Sequence, residues 1–361
     1  MTTQKALLLT EIGAPLSLTH DWPIPSPSTA QVQVKVLIAG INPHDAKSRD
    51  WGLFIRLDRS PPVIASPDER AAVDLPNILT HDVVGKITKL GPGVTGLRIG
   101  DRVTFQASFW KGSKQNGLQE YAVADVGALS KIPEGISDDE AATLPTTVFT
   151  SVTALFHNLA IPAPWSEAAR DFDYAGASVL VVGGGSSCGQ TGVQLAALAG
   201  IGRIVVVGGD ESTLRSFGAT HFVDRHGGED VVLGRIRDIV GDELVYAYDT
   251  VNVPENQVLT VNALSGTKKG VMARLLPMGP IDESKVLGKE AGFEVSDVFG
   301  SSHIHTGLAA EFWGRLEGYL EQGSIKPLDF VVKEGLDADV VNGVLDDYRD
   351  HKKVTRTNIH V

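Results

Sequence analysis

Apolar and polar residues follow two different patterns along this chain, and the change between them predicts two kinds of sheet. In the first part, short strand-like runs at 32–38, 83–90 and 101–105 are separated by glycine and proline turns. Such runs are typical of a compact, partly open barrel. From residue 138 onwards, helical spacing of the apolar positions alternates with strand-length apolar runs. Strands that alternate with helices indicate parallel βαβ units.

A glycine-rich stretch follows one of these strand runs. Residues 179–182 are Val-Leu-Val-Val, and Gly183, Gly185 and Gly189 come next, before a helical pattern over 191–198. This order leaves backbone N–H groups free to bind a pyrophosphate at a helix N-terminus. An ordinary tight turn is the alternative, because G-x-G-x-x-x-G departs from the usual G-x-G-x-x-G. Further strand-like runs follow at 204–207, 221–224, 244–250 and 269–276. Because a doubly wound sheet needs such runs, a dinucleotide site is favoured.

The composition is that of an ordinary soluble globular protein. The chain has 361 residues, 42% hydrophobic and 21% charged, so two domains are expected. The net charge of −12 and the lack of a basic stripe argue against a nucleic-acid partner. No signal peptide is predicted, because the only apolar run near the N-terminus, residues 6–9, is short and Glu11 follows it. No membrane span is predicted either, since Arg203 and several glycines interrupt the longest mainly apolar stretch, residues 191–209. The single cysteine, Cys188, allows no intramolecular disulfide, and a cytoplasmic location is expected.

The end of the chain predicts a discontinuous arrangement of domains. An amphipathic helix over 309–322 follows the βα region, and strand-like segments follow at 329–333 and 355–361. These last strands have no place in a doubly wound sheet. We therefore expect the chain to return to its first domain, which leaves a ligand cleft between two bodies.

A series of different short motifs extends along nearly the full length of the chain. They are G-I-N-P-H-D-A-K at 40–47, H-D-V-V-G at 81–85, G-P-G-V at 91–94, G-D-R-V at 100–103, G-L-Q-E-Y at 117–121, L-P at 144–145 through Thr150, and G-S-I-K-P at 323–327. With them, the chain resembles the medium-chain dehydrogenase/reductase superfamily. More narrowly, it resembles the zinc-independent quinone oxidoreductase and enoyl reductase branch, which includes trans-acting enoyl reductases that serve polyketide synthases. The resemblance implies an α/β fold, with a Rossmann doubly wound parallel sheet over 138–308 and a GroES-like catalytic domain, a partly open β-barrel, over 1–137 and 309–361.

The same resemblance argues against a catalytic zinc ion. Alcohol dehydrogenases of the superfamily bind zinc through a cysteine, a histidine and a second cysteine, and those positions fall on Asn42, His81 and Thr146. Amide and hydroxyl groups replace thiolates poorly as zinc ligands. His81 could still be a ligand, but a hydrogen-bonded histidine is the favoured interpretation. No metal is therefore expected.

The resemblance also implies a set of residues that contact a nicotinamide dinucleotide. They are Thr150, Gly183, Gly185, Ser186, Ser187, Cys188, Gly189, Gly209, Asp210, Arg215 and Leu276. Asp210 follows the second strand of the sheet, where a carboxylate favours NADH, whereas Ser212, Arg215 and Arg225 could bind the phosphate of NADPH. NADPH is the favoured cofactor and NADH remains possible. For Cys188, the alternative is a packing role between helix and strand. For Thr150, the alternative is an ordinary position on a helix surface.

Hydride addition to an enone or enoyl group leaves an enolate, which needs charge relief and a proton. Lys47 is the candidate for this role, and a solvated loop lysine is the alternative. We expect Asn42 and Asp45 to support it by fixing the loop and a neighbouring ribose through hydrogen bonds. Trp51 and Phe54 are predicted to form an apolar wall of the substrate site or, equally, to belong to the core of the barrel.

These predictions combine into one expected function. The chain is expected to be an NADPH-dependent, zinc-independent reductase of an activated C=C bond in a small or carrier-bound unsaturated carbonyl substrate. An NADPH:quinone oxidoreductase and a non-catalytic nucleotide-binding protein are the alternatives. A monomer and a homodimer are both compatible with the sequence. The segment 56–76, with four prolines, is either a lid or a loop without a role.

Overall fold

The computed structural model of the chain describes residues 2–55, 75–109, 112–276 and 279–361. These residues form two compact units. The first comprises Met1–Thr146, Ser301–Glu321 and Pro327–Val361, and the second comprises Thr147–Gly300 and Gln322–Lys326. Most of the segment 56–76, to which the sequence assigns a lid or a loop, lies outside the described residues.

The strands and helices are numbered in chain order. The strands are β1 (Thr3–Leu8), β2 (Ser17–Pro23), β3 (Gln31–Ile41), β4 (Asp82–Leu90), β5 (Arg102–Gln106), β6 (Tyr121–Asp125), β7 (Leu129–Lys131), β8 (Ser178–Val182), β9 (Arg203–Val207), β10 (His221–Val223), β11 (Tyr246–Asp249), β12 (Gly270–Arg274), β13 (Phe293–Asp297), β14 (Val331–Glu334) and β15 (Thr357–His360). The α-helices are α1 (Pro43–Trp51), α2 (Asp138–Ala142), α3 (Pro145–Thr153), α4 (Ser187–Ala199), α5 (Glu211–Ser216), α6 (Glu229–Val240), α7 (Val258–Ala263), α8 (Thr306–Glu321) and α9 (Ala338–Arg349).

The first unit is built on a mainly antiparallel sheet in the order β14-β15-β3-β4-β5-β7, with β6 also paired to β3. Alternate residues Val32, Val34 and Val36 of β3 point into one apolar cluster with Phe105, as expected of a strand with one buried face. Within the described residues, the outer strands β14 and β7 do not pair with each other, so the sheet stays open. This agrees with the predicted partly open barrel.

The C-terminal strand completes the sheet of the first unit. Strand β15 runs antiparallel to β3, with Thr357 opposite Ile41, and β14 runs parallel to β15. The last strands therefore join the N-terminal sheet and are not part of the parallel sheet. Strand β15 pairs with residues 38–41 of β3, beyond the residues 31–35 that pair with β6, so it satisfies backbone groups that β6 leaves open.

The second unit contains a parallel sheet in the order β10-β9-β8-β11-β12-β13. Counted within this unit, the order is 3-2-1-4-5-6, which is that of the Rossmann fold. Every residue of β8 is buried, which explains its unbroken run of apolar residues, since a central parallel strand is covered on both faces. The direction of winding reverses between β8 and β11. Ligands of such sheets bind at the carboxyl ends of the strands at this reversal.

Candidate functional site

The glycine turn of the second unit leads from β8 directly into α4. Gly183 has a φ of 91°, and Ser186 caps the helix by accepting a hydrogen bond from the Gly189 amide at 2.9 Å. Within the described residues, the amides of Ser187 and Cys188 donate to no protein group. Two unpaired N–H groups at the start of a 13-residue helix have the chemistry to bind an anion.

The glycines of this turn allow the backbone to pass where a side chain would not fit. A Cβ atom at Gly189 would lie 2.2 Å from the Gly183 carbonyl oxygen. A Cβ atom at Gly209, after β9, would lie 2.7 Å from the Gly185 amide nitrogen. The structure therefore brings Gly183, Gly185, Gly189 and Gly209 together. At Gly189 and Gly209 the closest atom is backbone, which cannot move aside.

Thr250 belongs to this turn, although the sequence reasoning did not identify it. Its hydroxyl lies 2.8 Å from the Ser186 hydroxyl and donates to the Val182 carbonyl at 2.8 Å. Thr250 directly follows β11, the strand beside β8 in the parallel sheet. Its place directly after a strand could have identified it, because the carboxyl ends of neighbouring parallel strands lie at the same edge of the sheet.

The residues after β9 have different partners. Asp210 caps α5, where its Oδ1 accepts from the Thr213 amide at 2.8 Å. The Arg215 guanidinium pairs with Glu211 at 2.7 Å. The Arg225 side chain runs beside Gly208, with its Cδ 3.3 Å from where a Cβ would stand. Arg225 has no ion-pair or hydrogen-bond partner in the part of the chain that the structure describes.

Three other residues expected near the cofactor also lie in the second unit. Thr150 is buried in α3, where Gly300 packs so closely that a Cβ there would meet the Thr150 hydroxyl at 2.4 Å. Burial raises the pKa of the Cys188 thiol to about 12, so it stays protonated near neutral pH and is a poor nucleophile. The Leu276 carbonyl accepts a hydrogen bond from Gln257 at 3.2 Å.

In the first unit, the residues expected to be catalytic lie at the start of α1, and the expected loop is a helix. Pro43 occupies its first turn, and the Asp45 carboxylate accepts from the Asn42 amide at 2.7 Å. Proline at the first helical position and a carboxylate that bonds back to the capping residue both favour helix initiation. Asp45 is fully buried, and its other oxygen accepts from the Thr80 amide at 3.1 Å. Asp45 therefore holds α1 against the segment before β4.

A buried ion pair fixes the same region. Arg356, just before β15, pairs with Asp82, and it donates to the Asn42 amide oxygen at 2.7 Å and to the Ala142 carbonyl at 3.0 Å. The Asn42 amide nitrogen donates in turn to Asp82 at 2.9 Å. The sequence reasoning missed Asp82 and Arg356, since nothing in their local sequence pairs residues so far apart.

Lys47 lies on α1 and is partly buried. Burial lowers the pKa of its ammonium group. Within the described residues, it has no ion-pair or hydrogen-bond partner for its side chain. An unpaired, partly desolvated ammonium group can donate a proton or stabilise an oxyanion.

The two aromatic residues expected to form a substrate wall occupy different environments. Trp51 is 44% exposed, so it is not part of the barrel core. Phe54 contacts the rings of His44 and Phe109, with centroids 5.6 and 4.8 Å away. Only Phe54 therefore joins an apolar surface in the described structure.

The residues at the zinc positions of related alcohol dehydrogenases do not fit that metal site. The Asn42 side chain is committed to Asp82 and Arg356. The Thr146 hydroxyl is buried without a hydrogen-bond partner in the described structure, and it is a weak ligand. His81 alone offers a suitable nitrogen, so no step of the reaction is assigned to a zinc ion at these three positions.

Comparison with known proteins agrees with this fold. Residues 28–134 match the alcohol dehydrogenase GroES-like domain. The chain is 28% identical to the trans-enoyl reductase resD of Aspergillus sclerotiorum, over 92% of this chain and 93% of that protein. It is 29% identical to the trans-enoyl reductase traG of Penicillium crustosum, over 72% and 67%. The crystal structure of CurK enoyl reductase superposes with a TM-score of 0.74 at 20% identity, over 99% of both chains.

In sequence and in fold, the chain is similar to medium-chain dehydrogenase/reductases. The Rossmann order of the parallel sheet and the GroES-like match confirm the predicted fold class, and the chain is an oxidoreductase. Among the described residues, no helix has the length and the apolar character that a membrane crossing requires.

Proposed function

We propose that this protein is a medium-chain dehydrogenase/reductase that uses NADPH to reduce an activated C=C bond in an enone or enoyl substrate. The observation that carries the proposal is the turn from β8 to α4, where unpaired Ser187 and Cys188 amides adjoin glycines that exclude side chains. These features fit a pyrophosphate, because backbone amides at a helix N-terminus bind anionic oxygens. When bound, the nicotinamide would supply the hydride for the reduction.

The residues after β9 support NADPH over NADH. A carboxylate at this point selects NADH by binding a ribose hydroxyl, but the Asp210 Oδ1 already caps α5. Arg225 lies beside Gly208 with an unpaired guanidinium group, which suits a 2′-phosphate. Arg215 remains a candidate, but its pairing with Glu211 competes with a phosphate contact. A mycobacterial structure of the same fold was solved with NADPH bound, at a TM-score of 0.70 and 20% identity.

Lys47 is the group proposed to stabilise charge on the substrate. Hydride addition at the β-carbon places negative charge on the carbonyl oxygen, and the α-carbon then takes a proton. The lowered pKa of Lys47 makes its ammonium group a better proton donor near neutral pH. The substrate carbonyl itself accepts the charge, so the proposed reaction does not depend on a Lewis acid. Asn42 and Asp45 act as positioning residues, because their hydrogen bonds hold α1 in place.

The names of the relatives favour an enoyl substrate. The proteins from Aspergillus sclerotiorum and Penicillium crustosum are both described as trans-enoyl reductases. We therefore propose a small or carrier-bound unsaturated thioester or ketone as the substrate class.

An acceptor panel tests the proposal. Oxidation of NADPH is followed at its absorbance maximum with enones, enoyl thioesters and small quinones as acceptors. Turnover of an enone or an enoyl thioester supports the proposal. Turnover of quinones alone would favour the quinone reductase, and NADPH binding without any turnover would favour a nucleotide-binding protein.

The variant Lys47→Met tests the catalytic role within an active enzyme. It keeps the apolar stem and removes the charge, so kcat should fall about 100-fold, as for the loss of a proton donor. The matched control is Lys35→Met, since Lys35 is exposed on β3. An unchanged kcat in Lys47→Met would reject the assignment of Lys47 and leave the cofactor proposal intact.

A further inference from the structure

A second cluster of chemically active side chains lies in the first unit, where His44 and Asp45 of α1 meet His81. The His44 Nε2 and His81 Nδ1 atoms are 3.0 Å apart. The Asp45 Oδ1 atom is 3.5 Å from the former and 3.9 Å from the latter. We propose that these three side chains form a binding site for a divalent cation of the zinc type. This proposal concerns metal binding alone and does not rest on the proposed reduction.

The spacing of the three donor atoms suits a tetrahedral ion. Zinc ligands at about 2.0–2.1 Å from the metal stand roughly 3.3–3.4 Å from one another. The observed separations of 3.0, 3.5 and 3.9 Å bracket this value. Two imidazoles and one carboxylate also match the three protein ligands of open zinc sites, in which water or another ligand takes the fourth position.

The surroundings hold the donors in orientation. Backbone amides of Asn42 and Thr80 bind the two Asp45 oxygens, at 2.7 and 3.1 Å. The His81 ring stacks on Phe109 with centroids 4.0 Å apart. Bonds to a ligating carboxylate and apolar walls around the imidazoles are the outer-shell features of bound metals.

The hydrogen bonding of the cluster is compatible with a bound cation. Asp45 is fully buried, and among the described residues only His44 and His81 lie within ion-pair distance of it, while Arg356 acts on it from further away. In the metal-free protein, one imidazole of the histidine pair donates its N–H to the other. A bound metal ion would take the place of this hydrogen bond, with the N–H of each neutral imidazole on its other ring nitrogen.

The cluster differs from the zinc position of the related alcohol dehydrogenases. It shares His81 with that position but takes its other donors from α1, in place of Asn42 and Thr146. The Asn42 side chain is held by Asp82 and Arg356, and its backbone amide supports Asp45 instead. His44 supplies the nitrogen that makes the set complete.

Titration of the full chain with Co²⁺, after treatment with a chelator, tests the site directly. Co²⁺ in a tetrahedral site of this kind gives intense visible absorption, and Zn²⁺ should displace it. We expect one Co²⁺ per chain, and an affinity for Co²⁺ that is at least about 100-fold weaker in His44→Ala and in His81→Ala. The matched control is His226→Ala, because that imidazole is exposed and is paired with Asp224 at 2.6 Å.

Two results would overturn the inference. One is no Co²⁺ spectrum and no bound Zn²⁺ by elemental analysis at equimolar metal. The other is equal Co²⁺ affinity in His44→Ala and the unaltered protein. Thermal unfolding of each variant confirms that it is folded, and NADPH titration reports on the cofactor separately. Failure of the metal site is thus distinguishable from failure of the proposed reductase function.

Discussion

Two regions of this protein differ in whether backbone groups or side chains determine their structure. In the second unit, the turn from β8 to α4 is made of backbone, with two amides that donate to no protein group and glycines that exclude side chains. In the first unit, the start of α1 is held by side chains, in which Arg356 joins Asn42, Asp82 and the Ala142 carbonyl. The backbone region is contiguous in sequence, whereas the side-chain region gathers residues from distant segments. Substitutions in the two regions should therefore have different effects.

The largest expected effect is loss of the buried cation in the side-chain region. In Arg356→Met, Asp82 keeps its charge without a cationic partner, and removal of one member of a buried ion pair costs about 3–5 kcal/mol. Denaturant unfolding of the variant should show this loss. Lys352→Met is the control, because Lys352 pairs with Asp347 on the surface. If both variants unfold at the same denaturant concentration, the buried network does not stabilise the first unit.

The backbone region should be sensitive to a single added methyl group. Gly189→Ala places a Cβ 2.2 Å from the Gly183 carbonyl oxygen. Either the free energy of unfolding should fall by about 3 kcal/mol, or the turn should shift and bind NADPH less tightly. NADPH titration and thermal unfolding measure the two outcomes. The control is Gly234→Ala, which meets no atom within 4 Å in α6 and should stabilise the helix by about 0.5–1 kcal/mol. Normal NADPH affinity and stability in Gly189→Ala would contradict the described turn.

Cofactor selectivity should depend on a side chain beside the backbone region. In Arg225→Met, the preference for NADPH over NADH should fall roughly 30-fold, about 2 kcal/mol, because a charge-assisted phosphate contact is lost. The ratio of kcat/KM for the two cofactors measures this change. Arg215→Met, whose guanidinium pairs with Glu211, should change the ratio less. A larger change of this ratio in Arg215→Met than in Arg225→Met would show that Arg215, and not Arg225, makes the phosphate contact.

The smallest expected effect is a pH dependence in the first unit. A hydrogen bond from His303, at 2.9 Å, holds the pKa of the Asp125 carboxyl well below its ordinary value. A carboxylate with a lowered pKa stabilises the fold above its unfolded pKa of about 4, and this contribution fades as the pH falls further. In Asp125→Asn, the free energy of unfolding should drop by about 1 kcal/mol at pH 7. The difference from the unaltered protein should shrink below pH 4, and a constant difference down to pH 2 would contradict this account.

The sequence predicted the second unit better than the first. The run Val179–Val182 followed by glycines indicated a strand, a turn and a helix, and each is present at the expected place. By contrast, the segment from Asn42 to Lys47 was expected to form a loop, and most of it belongs to α1. The signals for this helix, Pro43 and the carboxylate of Asp45, are short and local.

The sequence alone determined the elements whose cause is local. Unbroken apolar runs require burial on both faces, and glycines mark where backbone approaches backbone, so the parallel sheet and its turn can be read residue by residue. The tertiary structure decided which distant charges meet, as Arg356 meets Asp82 and His44 meets His81. A charged or polar side chain carries no signal of its partner, because its interaction energy depends on distance and burial, and only the folded chain sets both.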